Sequence, residues 1–119
     1  MARILVAEDD PQAREMIVRI CEFQGHEVEQ APDGVRALQE FDRIKPDLLI
    51  TDLAMPLSSG ESLVREVRAR RHDFPVIIIT GYAAALGASD REALGDCTIL
   101  EKPIDLEPML AALRQALPA

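Results

Sequence analysis

With 119 residues and a formal net charge of −8, the chain is long enough for one domain, residues 1–119, with a core of its own. It is too acidic to hold nucleic acid directly, since phosphate binding needs a basic face. Apolar residues make up 48% and aromatics only 3%, so the core must be aliphatic. No apolar run approaches a membrane span, and Met1-Ala2-Arg3 leads straight into a strand with no room for a signal peptide. Cys21 and Cys97 lie far apart without a C-x-x-C pattern, so free thiols and a reducing cytoplasm are expected.

The first predicted strand is Ile4-Leu5-Val6-Ala7, running into Glu8-Asp9-Asp10. Pro11 then opens a helix with apolar positions Ala13, Met16, Ile17, Ile20 and Cys21, which Gly25 stops. A short strand around Val28 follows, and Pro32-Asp33-Gly34 turns the chain. Asp33 is placed to cap a second helix carrying Leu38, Phe41 and Ile44, which must end before Lys45-Pro46. Leu48-Leu49-Ile50-Thr51 forms the third strand and ends on Asp52. Ser58 and Glu61 stand at capping-box spacing before a third helix with Leu63, Val64 and Val67 inward. The basic end of that helix (Arg68, Arg70, Arg71) suits its dipole and reads as a solvated terminus.

Val76-Ile77-Ile78-Ile79 is the fourth strand and ends on Thr80. The fourth helix is weak: Gly87 and Gly95 interrupt residues 83–97, and Ser89-x-x-Glu92 offers a restart within it. Thr98-Ile99-Leu100-Glu101 then delivers Lys102-Pro103. Asp105 caps a last helix with Leu106, Met109, Leu110, Leu113 and Leu117 on one stripe, and Pro108 sits harmlessly in its first turn. The strands are continuous apolar runs, the mark of a parallel sheet covered on both faces. Five such units predict an α/β fold, a doubly wound five-stranded parallel sheet of order 2-1-3-4-5.

In such sheets ligands bind beyond the carboxyl ends of the strands, where the strand order reverses. Strands one and three flank that point and supply Glu8-Asp9-Asp10 and Asp52, while strands four and five bring Thr80 and Lys102 to the same rim. Carboxylates converging in a crevice repel one another and need a cation. Mg²⁺ is the natural one, since it accepts a few carboxylates and bridges to phosphate oxygens; calcium is the alternative, without an EF-hand loop to favour it. Beside such a metal Asp52 can act as nucleophile, with Lys102 and Thr80 stabilising charge on a transferring phosphoryl group.

The set Glu8-Asp9-Asp10-Pro11, Asp52-Leu53-Ala54-Met55-Pro56 with Gly60, Thr80-Gly81 and Lys102-Pro103 resembles the receiver domain of two-component response regulators, with a flavodoxin-like fold, across essentially the whole chain. The resemblance implies that Asp52 accepts a phosphoryl group from a histidine kinase or a histidine phosphotransfer protein. It further implies Mg²⁺ held by Glu8, Asp9, Asp52 and the backbone carbonyl of Ala54. Asp10 falls at a variable position and only begins the helix. Lys102 would pair with the phosphoryl group, and Thr80 would turn inward to it. The signal would reach a downstream protein through the face of helix four, strand five and helix five.

Self-phosphorylation and autodephosphorylation are the only catalysis this implies, with no direct DNA or membrane binding; homodimerisation is open. The end of the chain after helix five implies a single-domain regulator without an output domain. Short stretches such as Gly25-His26-Glu27-Val28 and Thr80-Gly81-Tyr82-Ala83-Ala84 are similar to CpdR-type regulators. The alternatives are a receiver cut from a hybrid histidine kinase and an unphosphorylated docking module. An aspartyl-phosphate phosphatase would want a second acid where Ala54 stands, and an FMN protein would not place three acids at a phosphate loop.

The sequence departs from the family pattern at three points. Glu8 stands where Asp is usual. Ile99 replaces a frequent aromatic, which leaves Tyr82 to share the switching role of Thr80 or simply to pack over the rim. Ala54 offers no polar side chain to an attacking water, so Ala54 and Tyr82 would set the lifetime of the phosphoryl group.

Overall fold

Because side chains alternate across a strand, a strand apolar at every position must be covered on both faces, and the helices here divide to do so. The computed structural model describes every residue except 56, 58, 118 and 119. Its strands are β1 (Arg3–Ala7), β2 (Glu27–Ala31), β3 (Leu48–Asp52), β4 (Val76–Thr80) and β5 (Thr98–Glu101). They form one parallel sheet of order β2-β1-β3-β4-β5, as expected. The helices are α1 (Pro11–Phe23), α2 (Gly34–Ile44), α3 (Gly60–Arg70), α4 (Ala88–Leu94) and α5 (Leu106–Ala116).

Ile4, Val6, Leu48, Ile50, Ile77 and Ile79 point to one face, where Ile17, Val18 and Cys21 of α1 and Met109, Ala112 and Leu113 of α5 cover them. Leu5, Ala7, Leu49 and Ile78 point to the other, against Ala37 and Phe41 of α2, Leu63, Val64 and Val67 of α3 and Leu94 of α4. Phe74 joins that second layer, edge-on to Phe41 with ring centroids 5.0 Å apart. Both thiols are free. Cys21 is fully buried, and burial pushes it up to about 12. Among the described residues no helix is long and apolar enough to cross a membrane.

Helix termini follow local chemistry, with some shifts from expectation. Asp33 caps α2 by accepting from Arg36 N–H at 2.8 Å. Ser58 lies outside the described residues; the observed cap of α3 is Ser59, whose hydroxyl accepts from Ser62 N–H at 3.1 Å. Ser89 does not restart α4. That helix begins after Gly87, whose N–H is held by Asp90 at 2.9 Å, and a 3-10 turn over Ala83–Ala85 precedes it. Asp105 occupies the N-cap position of α5 without a side-chain cap bond. Met16 and Leu106 face solvent rather than core, because the inward stripes of their helices run through Ile17 and Met109 instead.

The basic end of α3 is exposed at Arg70 and Arg71, as a solvated terminus would be, and its guanidinium groups also make specific contacts. Arg68 donates to the carbonyls of Phe74, Leu94 and Asp96. Arg71 donates to Pro46 O at 3.1 Å while its guanidinium stacks 4.9 Å above the Phe74 ring, and Arg70 pairs with Asp42 and Glu66. A guanidinium satisfies several acceptors at once, so these residues tie loops down while staying partly in water.

Candidate functional site

Parallel strands ending together leave their last side chains around one crevice, and here the last side chains are charged. Glu8 follows β1, Asp52 ends β3, Thr80 ends β4 and Lys102 follows β5. Glu8 and Thr80 have no exposed surface, and Asp52 is 5% exposed. Asp9 is exposed at the mouth.

Lys102 joins the two sides of the crevice. Its Nζ lies 2.7 Å from Asp52 Oδ2 and 2.7 Å from Glu8 Oε1. The ammonium is thus shared, hydrogen-bonded to Asp52 and ion-paired at the same distance with Glu8. Burial opposes the Lys102 ammonium, but its bonds to Asp52 and Glu8 outweigh that and raise its pKa. For Glu8 burial dominates and pushes the carboxyl up, with Lys102 and the Asp10 N–H pulling down and the Asp52 charge adding to the rise.

One carboxylate oxygen each from Glu8, Asp9 and Asp52 lies within 4.8 Å of the others. Three acids with one lysine leave two formal negative charges, with Glu8 and Asp52 buried. A hard divalent cation such as Mg²⁺ fits that donor set. Asp10 is not part of it: its carboxylate caps α1, accepting from Ala13 N–H at 3.3 Å. Ala54, exposed, donates its N–H to Asp52 Oδ1 at 3.2 Å.

The Thr80 hydroxyl is buried and accepts from Tyr82 N–H at 3.3 Å, while Lys102 N–H donates to Thr80 O at 2.8 Å. The backbone of the phenol-bearing residue is therefore tied to the hydroxyl, although the Tyr82 side chain is 43% exposed. Ile99 pairs with Ile78 across the sheet and packs half-buried on the second core layer. The Lys102–Pro103 peptide is cis.

Two contributors owe their place to contacts that the sequence does not spell out. Gly60 approaches the end of β3 so closely that a Cβ there would lie 2.0 Å from Asp52 O and 2.8 Å from Leu53 Cα. Gly60 stands in the motif, but its reason is this approach. Arg14 sends Nη1 to the carbonyl of Glu8 at 2.8 Å and Nε to Gln30 Oε1 at 3.3 Å. The hint available was its position, one turn into the helix that follows the acids.

Comparison with known proteins agrees with this geometry. Residues 4–114 match the family model described as the response regulator receiver domain. The response regulator MprA of Mycobacterium leprae is 38% identical over 118 residues, covering 97% of this chain and 50% of that protein. The chain thus spans about half the length of the curated relatives it matches. Among solved structures, the chemotaxis protein CheY4 of Vibrio cholerae superimposes with a TM-score of 0.90 at 29% identity, covering 98% of this chain and 99% of that one. The receiver domain of the hybrid histidine kinase CckA gives 0.80 at 32% identity, covering 97% and 98%.

Proposed function

The chain belongs to the response regulator receiver domain family, and from that premise we propose that it is a phosphorylation-switched signalling unit with Asp52 as phosphoacceptor. The observation that carries the reading is the placement of Asp52: a carboxylate almost wholly buried at the end of β3, hydrogen-bonded to Lys102 and grouped with Glu8 and Asp9. A histidine kinase or histidine phosphotransfer protein is the donor. An Asp52 oxygen attacks phosphorus, the bond from phosphorus to the donor histidine nitrogen breaks, and the nitrogen leaves with the electron pair.

Glu8, Asp9 and Asp52, with the Ala54 carbonyl, would hold Mg²⁺. When bound, the ion screens the approach of the phosphoryl anion to the acids and stabilises its developing charge. Lys102 leaves its ion pair with Glu8 to meet a phosphoryl oxygen, so the charge that steadies the resting crevice also receives the product. Thr80 exchanges the Tyr82 N–H contact for the phosphoryl group and shifts the segment that leads to α4. Tyr82 and Ile99 carry that change to the α4–β5–α5 face, where a protein target or a second copy binds. Ala54 and Tyr82 tune the lifetime of the aspartyl phosphate. Residues 1–119 act as one unit in a cytoplasmic setting, without direct contact to DNA or membrane.

Incubation with acetyl phosphate and Mg²⁺ should add one phosphoryl mass to the wild-type chain and none to Asp52→Ala, as read by intact-protein mass spectrometry. Normal incorporation by Asp52→Ala would sink the assignment.

A further inference from the structure

Glu8 is held at each of its polar atoms. Its N–H donates to Ala31 O at 3.0 Å, fixing it to β2, and its Oε2 accepts from Asp10 N–H at 3.1 Å. Its carbonyl accepts from Arg14 Nη1 at 2.8 Å, and the remaining oxygen is Oε1 beside Lys102. Arg14, like Arg68 and Arg71, gives its guanidinium to a backbone carbonyl rather than to a carboxylate. Among the described residues, every arginine from Arg3 to Arg43 except Arg14 forms an ion pair with a carboxylate. Its fork is turned instead to a backbone carbonyl and to Gln30 on β2.

That carbonyl belongs to the first residue after β1, where the chain leaves the sheet. Glu8 has a longer side chain than the aspartate usual at this position, with one more rotatable bond. A metal-binding carboxylate on such a chain needs its backbone fixed if the oxygen is to stay in place. From this geometry we infer that Arg14 is a positioning residue for the acidic site: it clamps the Glu8 backbone between α1 and β2 so that Glu8 aims its carboxylate at the cation. The inference rests on the reading of Glu8, Asp9 and Asp52 as the Mg²⁺ site.

The sign of its effect separates this role from a bland one. As a mere positive charge near three carboxylates, Arg14 would oppose a divalent cation, and removing it would tighten binding. As a clamp it favours the cation, and removing it weakens binding. Lysine keeps the charge, but its single ammonium cannot span both partners of the guanidinium fork.

The experiment is calorimetric titration of Mg²⁺ into the wild-type chain, Arg14→Lys, Arg14→Gln and Asp9→Asn, with amide hydrogen exchange at Asp9 and Asp10 in metal-free buffer. Both Arg14 variants should bind Mg²⁺ about tenfold more weakly and exchange those two amides faster, while remaining folded. Equal or tighter Mg²⁺ binding in either variant overturns the inference. If the wild-type chain takes up no Mg²⁺, or Asp9→Asn binds it as tightly as the wild type, the metal reading fails instead. The exchange data then decide on Arg14, and unchanged exchange rejects the clamp.

Discussion

The two ends of the sheet are built on opposite principles. At the amino ends of the strands nearly every polar group finds a partner: Ala2 N–H donates to His26 Nδ1, Arg3 N–H to Asp47, and the Arg3 side chain to Ile44 O. Arg71 takes Pro46 O, and Arg68 takes Phe74 O with the two carbonyls at the end of α4. At the carboxyl ends three acids share one lysine, and two formal negative charges are left uncompensated. Satisfied polar groups fix a fold, and uncompensated charges await a ligand. The molecule holds its charged crevice at one rim, while the other carries an open cavity lined by Arg68, His72, Phe74, Asp96 and Cys97 beside its arginine–carbonyl bonds.

Breaking the foundation of the carboxyl rim should have the largest effect. Gly60→Ala drives a methyl group into the backbone of Asp52 and Leu53, which cannot yield as a side chain would. The expected loss is at least about 3 kcal/mol by urea denaturation, together with loss of phosphorylation. A cost below about 1 kcal/mol would show that the close approach is not a real constraint.

At the opposite end, Arg68→Ala strips the donor from three carbonyls and should cost about 2–3 kcal/mol. Phosphorylation of Asp52 and Mg²⁺ affinity should stay at wild-type values in the folded protein. If both fall with stability, the two ends are not separable.

The smallest effect concerns His26. Burial, with the amino-terminal charge, holds its imidazole below the usual range. A depressed value means that the neutral form is favoured in the fold. Its contribution is therefore complete above pH 6.5 and is lost as pH falls through the lower folded value. His26→Gln keeps a side-chain acceptor without a titrating ring. The difference in stability between variant and wild type should thus shrink from pH 7 to pH 5, by a fraction of the Arg68 effect. A difference independent of pH would contradict this.

The carboxyl rim was legible in the sequence and the amino edge was not, for a physical reason. Glu8, Asp9, Asp52, Thr80 and Lys102 each follow an apolar run, and the period of the sheet carries them to one side. Asp10 as a helix cap and the strand order follow from the same pattern. Arg14, Arg68 and Arg71 bind carbonyls, which every residue owns, so the identity of their partners leaves no trace in the sequence. The starts of α3 after Ser59 and of α4 after Gly87 differ from the capping patterns at Ser58 and Ser89: Ser59 caps through its hydroxyl, and Gly87 is held at its N–H by Asp90. Met16 faced outward because two adjacent stripes on α1 were both apolar enough to be inward.

Tyr82 has an optical consequence. The chain contains one tyrosine and no tryptophan, so its intrinsic ultraviolet emission comes almost entirely from a single ring. That ring belongs to the residue whose N–H is held by the Thr80 hydroxyl. Emission from the unmodified protein therefore reports on the neighbourhood of the crevice alone. Quenching or a lifetime change can be read without an attached dye, and without the core contributing to the signal.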